Sequence, residues 1–410
     1  MTKRLLAVQG PIQLIAGYLA LDWYRQMAGE NCDESKPVLL LYDFLSPEEV
    51  EPEFVDIITR MATVHEWHSI IFISGNDMRR TLWRGYASSI RELRKLIGQD
   101  EFDEIYLSRD WCGHGSPLLI NAYKTARKIT YGDSLGWVEN EPAAIGRFNW
   151  ESPVSSFLSI CKTRVRRSLL GWPEKLPFDA AVLTLPIVCS KGYLTGLPLF
   201  VPKREFVVNA IEFMHEKLIG STHLGTYCNA LMGAVSGRTC FLFLLSNLHR
   251  SGMTTVENEI NLYMDIVHET AEKGSYILLK AHPRGSNQVM EALVDRLQSE
   301  YQTVAIDDAV LSRIPIELWR GLIEHCVVIP VFSASAVHLK YIYGTAVRLP
   351  LRKELVHKYF FKHTIARMLH ADHIISQSVE NLDSWDGKSI LFETRLQDTW
   401  VEADSDEAQQ

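Results

Sequence analysis

Short apolar runs alternate with amphipathic stretches along most of the chain, from the first residues to about position 349. A short continuous apolar run bounded by turn signals reads as a strand buried on both faces. Apolar residues recurring every three to four positions read as a helix. On these rules Arg4–Val8 is a strand, and 12–27 is a helix with Ile12, Ile15, Leu19 and Trp23 near one face. Residues 37–42 (PVLLLY) form a strand. Residues 47–61 form a helix opened by Ser46, with Glu48 and Glu49 in its first turn. The series continues with a strand at 69–74, a helix at 81–97, a strand at 104–107, a helix at 117–127 and a strand at 128–131.

Residues 141–173 break the alternation, and a second series starts at 178–188 (FDAAVLTLPIV). It runs through a helix at 206–219, a strand at 240–245 (CFLFLL), a helix at 258–273 and a strand at 276–280 (YILLK). A helix at 289–301, a strand at 303–306, a short helix at 315–324, a strand at 326–331 and a helix at 334–343 follow. Residues 345–349 are the last expected strand. Strand–helix alternation with wholly apolar strands calls for parallel sheets covered on both faces. The fold class is therefore α/β, with two doubly wound, Rossmann-like domains at 1–170 and 171–375. A C-terminal extension at 376–410 ends in an acidic, frayed tail. Ligands of such sheets bind beyond the carboxyl ends of the strands, so the expected site is a cleft that the two domains face.

Composition narrows the classes. The 410 residues are 47% hydrophobic and 22% charged, which excludes a disordered chain. With 42 Lys+Arg against 50 Asp+Glu the net charge is −8, which argues against a nucleic-acid binder. The seven cysteines (Cys32, Cys112, Cys161, Cys189, Cys228, Cys240 and Cys326) include no C-x-x-C pair, so free thiols in a reducing cytoplasm are expected. The N-terminus lacks the features of a signal peptide, and no apolar run reaches the roughly 18 residues of a membrane span. The expected location is cytoplasmic, with membrane contact, if any, peripheral at the inner membrane. The stretch holding Lys162, Arg164, Arg166 and Arg167 fits either such a contact with anionic lipid or glycan, or a solvated helix face.

Three strand ends carry candidate chemistry. Ser333 and Ser335 open a helix, where backbone N–H groups and the helix dipole attract a phosphate; the plainer alternative is an N-cap. His282 follows a buried strand, with Lys280 and Arg284 nearby and Pro283 directing the chain outward. It can contact a phosphate or protonate a leaving group, or simply satisfy a loop carbonyl. Asp133 lies in a glycine-flanked turn, where a carboxylate can take a proton from an attacking hydroxyl or close an Asx turn. Together they suit a transferase that moves a group from a phosphate-activated donor.

The order Gly132-Asp133-Ser134-Leu135-Gly136, Lys280-Ala281-His282-Pro283-Arg284, Pro315-Ile316-Glu317-Leu318 and Phe332-Ser333-Ala334-Ser335 resembles bacterial sialyltransferases and polysialyltransferases. The opening Val8-Gln9-Gly10-Pro11-Ile12-Gln13-Leu14 is similar to their first strand and turn. Those families have an acidic-Gly motif, an HP motif and a paired Ser/Thr motif on a GT-B fold. The resemblance implies an inverting, metal-independent glycosyltransferase using CMP-sialic acid or a related nonulosonate donor, with a glycan acceptor and no cofactor. It makes Asp133 the general base and His282 the group that contacts or protonates the departing CMP. It puts Lys280, Pro283, Arg284, Glu317, Ser333 and Ser335 on the donor, and Gln13, Asn76 and Ser134 on the acceptor side. This chain reads Gly132-Asp133-Ser134 where the family has acidic-acidic-Gly, and Ala334 separates the paired hydroxyls.

The remaining motifs change little. The single D-x-D, Asp404-Ser405-Asp406, lies in the acidic tail and reads as solvated. His370 and His373 form a pair without a third metal ligand and read as structural. Trp137, Trp150 and Trp172 can stack on sugars or serve the core. No dinucleotide fingerprint, Walker A sequence or zincin motif is present. Two other functions fit the same residues: a CDP-polyol phosphotransferase of the teichoic-acid type, and a catalytically silent GT-B module that binds a nucleotide sugar or glycan.

Overall fold

The computed structural model describes residues 2–27, 36–43, 51–74, 86–108, 115–133, 135, 178–187, 197–283 and 287–385. Two compact units are present. The second comprises the chain from Arg204 to residue 385, joined by 51–60; the first holds the other described residues.

The first unit is a parallel sheet. Its strands are β1 (Arg4–Val8), β2 (Val38–Asp43), β3 (Ser69–Ser74), β4 (Glu104–Ser108), β5 (Arg127–Gly132), β6 (Ala180–Leu183) and β7 (Leu199–Phe200). Their spatial order is β3-β2-β1-β4-β5-β6-β7. Every residue of β1 is buried, including Arg4, whose Nε donates to Glu104 Oε2 at 2.9 Å across the β1–β4 register. Tyr106 Oη donates to the same carboxylate oxygen at 3.0 Å, so this buried charge is paired and hydrogen-bonded. Helix α1 (Pro11–Met27) packs on β1, β4 and β5. Gly17 makes that approach possible: a Cβ there would lie 2.7 Å from Leu6 Cδ1 and 2.9 Å from the Tyr131 ring. Tyr131 cannot swing away, because its hydroxyl donates to Ala7 O at 2.7 Å. Helices α2 (Glu51–Ala62), α3 (Tyr86–Ile97) and α4 (Gly115–Ala122) complete the described helices before residue 203.

The second unit holds the parallel strands β8 (Cys240–Leu244), β9 (Tyr276–Lys280), β10 (Gln302–Ile306) and β11 (Val327–Pro330), in the order β10-β9-β8-β11. Its helices are α5 (Arg204–Ser221), α6 (Leu224–Val235), α7 (Val256–Thr270), α8 (Asn287–Leu297), α9 (Arg320–Ile323), α10 (Ser335–Tyr343), α11 (Lys353–Tyr359) and α12 (Ile365–Asp383). Phe243, Leu262, Ile266, Leu279, Leu293 and Val331 belong to one buried cluster that joins sheet and helices. Cys228, Cys240 and Cys326 are free and buried, with Cys240 Sγ 3.2 Å from Cys326 Sγ. The other four cysteines lie outside the described residues.

The α/β class and the parallel sheets agree with the sequence pattern, but the boundaries move. Residues 180–183 pair with β5 and β7 and extend the first sheet instead of starting the second, so the second unit's main segment begins at Arg204 and not at 171. A wholly apolar run looks the same whichever sheet takes it. Helix α12 runs through position 376, where the extension was expected to start. The expected strand at 345–349 is only a bridge between Val347 and Val328, and the 315–324 helix divides into a 3-10 turn (Ile316–Leu318) and α9.

Candidate functional site

Three strand ends meet at one edge of the second sheet. All of its strands are parallel, so β8, β9 and β11 end on the same side. The chain enters the sheet at β8, adds β9 and β10 to one side and β11 to the other. That reversal makes a crevice beyond the carboxyl ends, where ligands of open parallel sheets bind. The end of β9 leads into His282 and the end of β11 into Ser333, with β8 between them. Strand spacing puts the outer two ends about 10 Å apart.

The connection after β11 is tight. Phe332 adopts φ 55, the left-handed region that a bulky residue rarely enters. The Phe332 ring packs edge-on against Phe360 at 5.3 Å, which holds the turn. The chain then reverses through Ser333 into α10. The N-cap position of α10 is Ala334, and no side chain caps the helix. Ser333 and Ser335 are half-buried and flank that open end. The simple N-cap alternative for these serines is therefore not what the fold uses.

The connection after β9 is held from below. Lys280 is buried, and its ammonium donates to Ser312 O at 2.5 Å and lies 5.6 Å from the Trp319 ring centre. Burial pulls its pKa down to about 8; Glu317 opposes the shift and Arg313 adds to it. Arg313 Nη1 donates to Pro283 O at 2.8 Å and fixes the turn that carries His282, which is exposed. Arg284 lies outside the described residues.

Glu317 is also interior, 2% exposed, with Oε1 3.1 Å from His338 Nδ1. Tyr343 Oη donates to the Glu317 carbonyl at 2.6 Å. Both partners are on α10, so Glu317 anchors the helix whose open end carries the serines. Lys280 and Glu317, expected at the donor, thus sit beneath the surface that His282, Pro283, Ser333 and Ser335 form.

The end of β8 was missed in the sequence. Leu245 N–H donates to Lys280 O at 3.0 Å, Ser246 N–H donates to Tyr263 Oη at 2.6 Å, and Ser246 Oγ donates to Val331 O. Leu245 and Ser246 together therefore stitch the two strand ends that the motifs had marked. The signal was the polar Ser246-Asn247 pair directly after an apolar strand. Its weight comes only from strand order, which the sequence does not carry.

In the first unit Asp133 follows the carboxyl end of β5 and is half-buried. Gly132 before it has φ 151, a backbone region that residues with a Cβ avoid. Gly132 O accepts the Thr184 N–H at 3.0 Å, which holds the turn. Gln13 is in the first turn of α1, at the carboxyl end of β1 on the same side of that sheet. Ser134, Asn76, the Lys162 to Arg167 stretch and Trp137, Trp150 and Trp172 lie outside the described residues, as does Asp404-Ser405-Asp406. His370 and His373 are on α12; among the described residues no group of three His, Cys, Asp or Glu could hold a metal. No described helix is long and apolar enough to cross a membrane.

Two parallel α/β units follow one another along the chain, and the second carries a helix start and a histidine-bearing turn at one sheet edge. Residues 185–349 match the alpha-2,8-polysialyltransferase (POLYST) family. The match spans less than half of the chain and includes β8 to β11, His282, Glu317, Ser333 and Ser335. No curated protein matches the sequence. Among solved structures, the UDP-GlcNAc 2-epimerase from Neisseria meningitidis bound to UDP-GlcNAc is 11% identical, with a TM-score of 0.46, over 93% of this chain and 99% of that one. The sialyltransferase from Photobacterium damsela is 9% identical, with a TM-score of 0.39, over 92% and 80%. Likenesses this distant carry no functional argument.

Proposed function

We propose that the protein is an inverting glycosyltransferase that moves sialic acid, or a related nonulosonate, from a CMP-activated donor to a hydroxyl of a glycan. One observation carries this reading. The segment matching the polysialyltransferase family contains the His282 turn and the Ser333–Ser335 helix start at one sheet edge, with the end of β8 stitching them together.

In this reading the acceptor hydroxyl attacks the anomeric carbon as the bond from that carbon to the CMP phosphate oxygen breaks. Asp133 takes the hydroxyl proton. His282 donates a hydrogen bond or a proton to the departing phosphate, and the open end of α10 with Ser333 and Ser335 receives its charge. The leaving group already carries a phosphodiester charge, so these groups suffice without a metal or cofactor. The same reading puts the acceptor among surface glycans or lipid-linked oligosaccharides, reached in the cytoplasm or at the inner membrane through the Lys162 to Arg167 stretch.

The test is incubation of the purified chain with CMP-sialic acid and sialylated glycan acceptors, following CMP release and the anomeric configuration of the product. CMP release with an inverted product supports the assignment. Transfer of a phosphate to the acceptor would instead assign the polyol phosphotransferase chemistry, and CMP binding without turnover would assign a binding module.

A further inference from the structure

A carboxylate–imidazole pair, His249 and Glu259, lies at the same sheet edge. His249 lies in the loop that leaves β8, and Glu259 is in the first turn of α7, 1% exposed. Glu259 Oε2 is 2.5 Å from His249 Nδ1 and accepts the His249 backbone N–H at 2.8 Å. Its Oε1 accepts the Leu248 N–H at 3.3 Å. A carboxylate that only closed this turn would need the two backbone donors and no imidazole. The ring contact has a chemical consequence: Nδ1 carries the proton that faces Glu259, which leaves Nε2 for another partner. Among the described residues the ring makes no other hydrogen bond, and the His249 side chain keeps 14% of its exposure.

The loop is held at both ends. Leu245 and Ser246 bind the ends of β9 and β11, and Met253 O accepts the Phe361 N–H at 3.0 Å. His249 is therefore carried on a fixed loop that starts between the strand ends bearing His282 and Ser333.

We propose that His249, oriented by Glu259, takes up a second proton from solvent as the ligand binds and donates its Nε2–H to the phosphate of the nucleoside monophosphate group held at this edge. This rests on the CMP-donor reading above. The imidazolium then stands between two anions, a buried carboxylate that sets the ring and the phosphate that it binds. His249 is the phosphate contact and Glu259 is a positioning residue.

Calorimetric titration with CMP and with cytidine tests this in the wild type, His249→Ala and Glu259→Gln. His249→Ala weakens CMP by about 10- to 100-fold and leaves cytidine unchanged, since only CMP carries the phosphate. Glu259→Gln weakens CMP less and shifts the ring nitrogen resonances of His249 as the tautomer is released. If that variant does not fold, His249→Ala and the ring nitrogen spectrum of the wild type decide the matter. Equal losses for CMP and cytidine, or no loss for CMP, overturn the phosphate contact. A wild-type protein that takes no CMP removes the donor reading instead. Inorganic phosphate then judges the pair: a shift of the His249 ring nitrogens sustains the anion contact, and no shift overturns it.

Discussion

Glu317 Oε1 lies 3.1 Å from His338 Nδ1 in the interior of the second unit, and this contact fastens α10 to the turn that precedes α9. The open end of that helix carries Ser333 and Ser335, so their position depends on a pair that is out of reach of solvent. Glu317→Ala removes the carboxylate from His338 Nδ1 and lowers stability by about 1.5–3 kcal/mol. Glu317→Gln keeps an acceptor and loses less. Urea unfolding of the two variants checks the order; equal losses would show that the pair contributes through packing alone.

Lys280 gives a pH signature. Burial lowers its pKa from the ordinary 10.5 to about 8. Between those values the unfolded chain holds the proton and the folded chain has released it. The unfolded state therefore binds more protons, and the stability contribution of this group rises with pH across that window. Below about pH 8 both states are protonated and the contribution is constant. Wild-type stability measured against Lys280→Met climbs from pH 8 toward 10.5 with a slope approaching about 1.4 kcal/mol per unit. A flat difference over that range would mean that the ammonium is solvated.

Gly17 reports on the first unit. An added methyl meets Leu6 and a Tyr131 ring that its own hydrogen bond holds still. Gly17→Ala costs about 1–3 kcal/mol through overpacking, despite the better helix propensity of alanine. Thermal unfolding reads the effect, and a variant as stable as the wild type would place α1 farther from the sheet.

Asp133 and His282 separate in their effects. Asp133→Asn abolishes transfer and leaves CMP affinity nearly intact, whereas His282→Ala weakens CMP by roughly 1.5–3 kcal/mol and slows turnover. Parallel measurements of CMP affinity and CMP release check both. Full transfer by Asp133→Asn removes it as the base, and unchanged affinity and rate in His282→Ala take that residue out of the site.

The strands were legible because burial on both faces demands continuous apolar runs; Arg4–Val8 and Tyr276–Lys280 match their expected bounds to the residue. Sheet membership was not legible, since nothing in AAVL at 180–183 tells β5 from β8 as its neighbour. Helices α6, α11 and α12 were missed because their apolar stripes follow one another without the strands that punctuate the rest. At the candidate site His282, Ser333 and Ser335 were legible because each follows an apolar strand, and the strand order brings those strand ends to one sheet edge. Lys280 and Glu317 were expected at the donor, but a strand buried on both faces and a buried turn point them inward. Ser246 and the His249–Glu259 pair depend on strand order and on a loop returning to a helix, which local pattern does not encode.

In the proposed transferase the second unit takes a cytidylate. A thermal-shift panel of CMP, CDP, UMP, UDP and GDP on the purified chain, with no added metal, tests it most directly. Selective stabilisation by CMP, lost in His282→Ala, is the expected result. Stabilisation by UDP or GDP in place of CMP, or by none of the five, would contradict the nonulosonate transferase and leave only the two parallel α/β units standing.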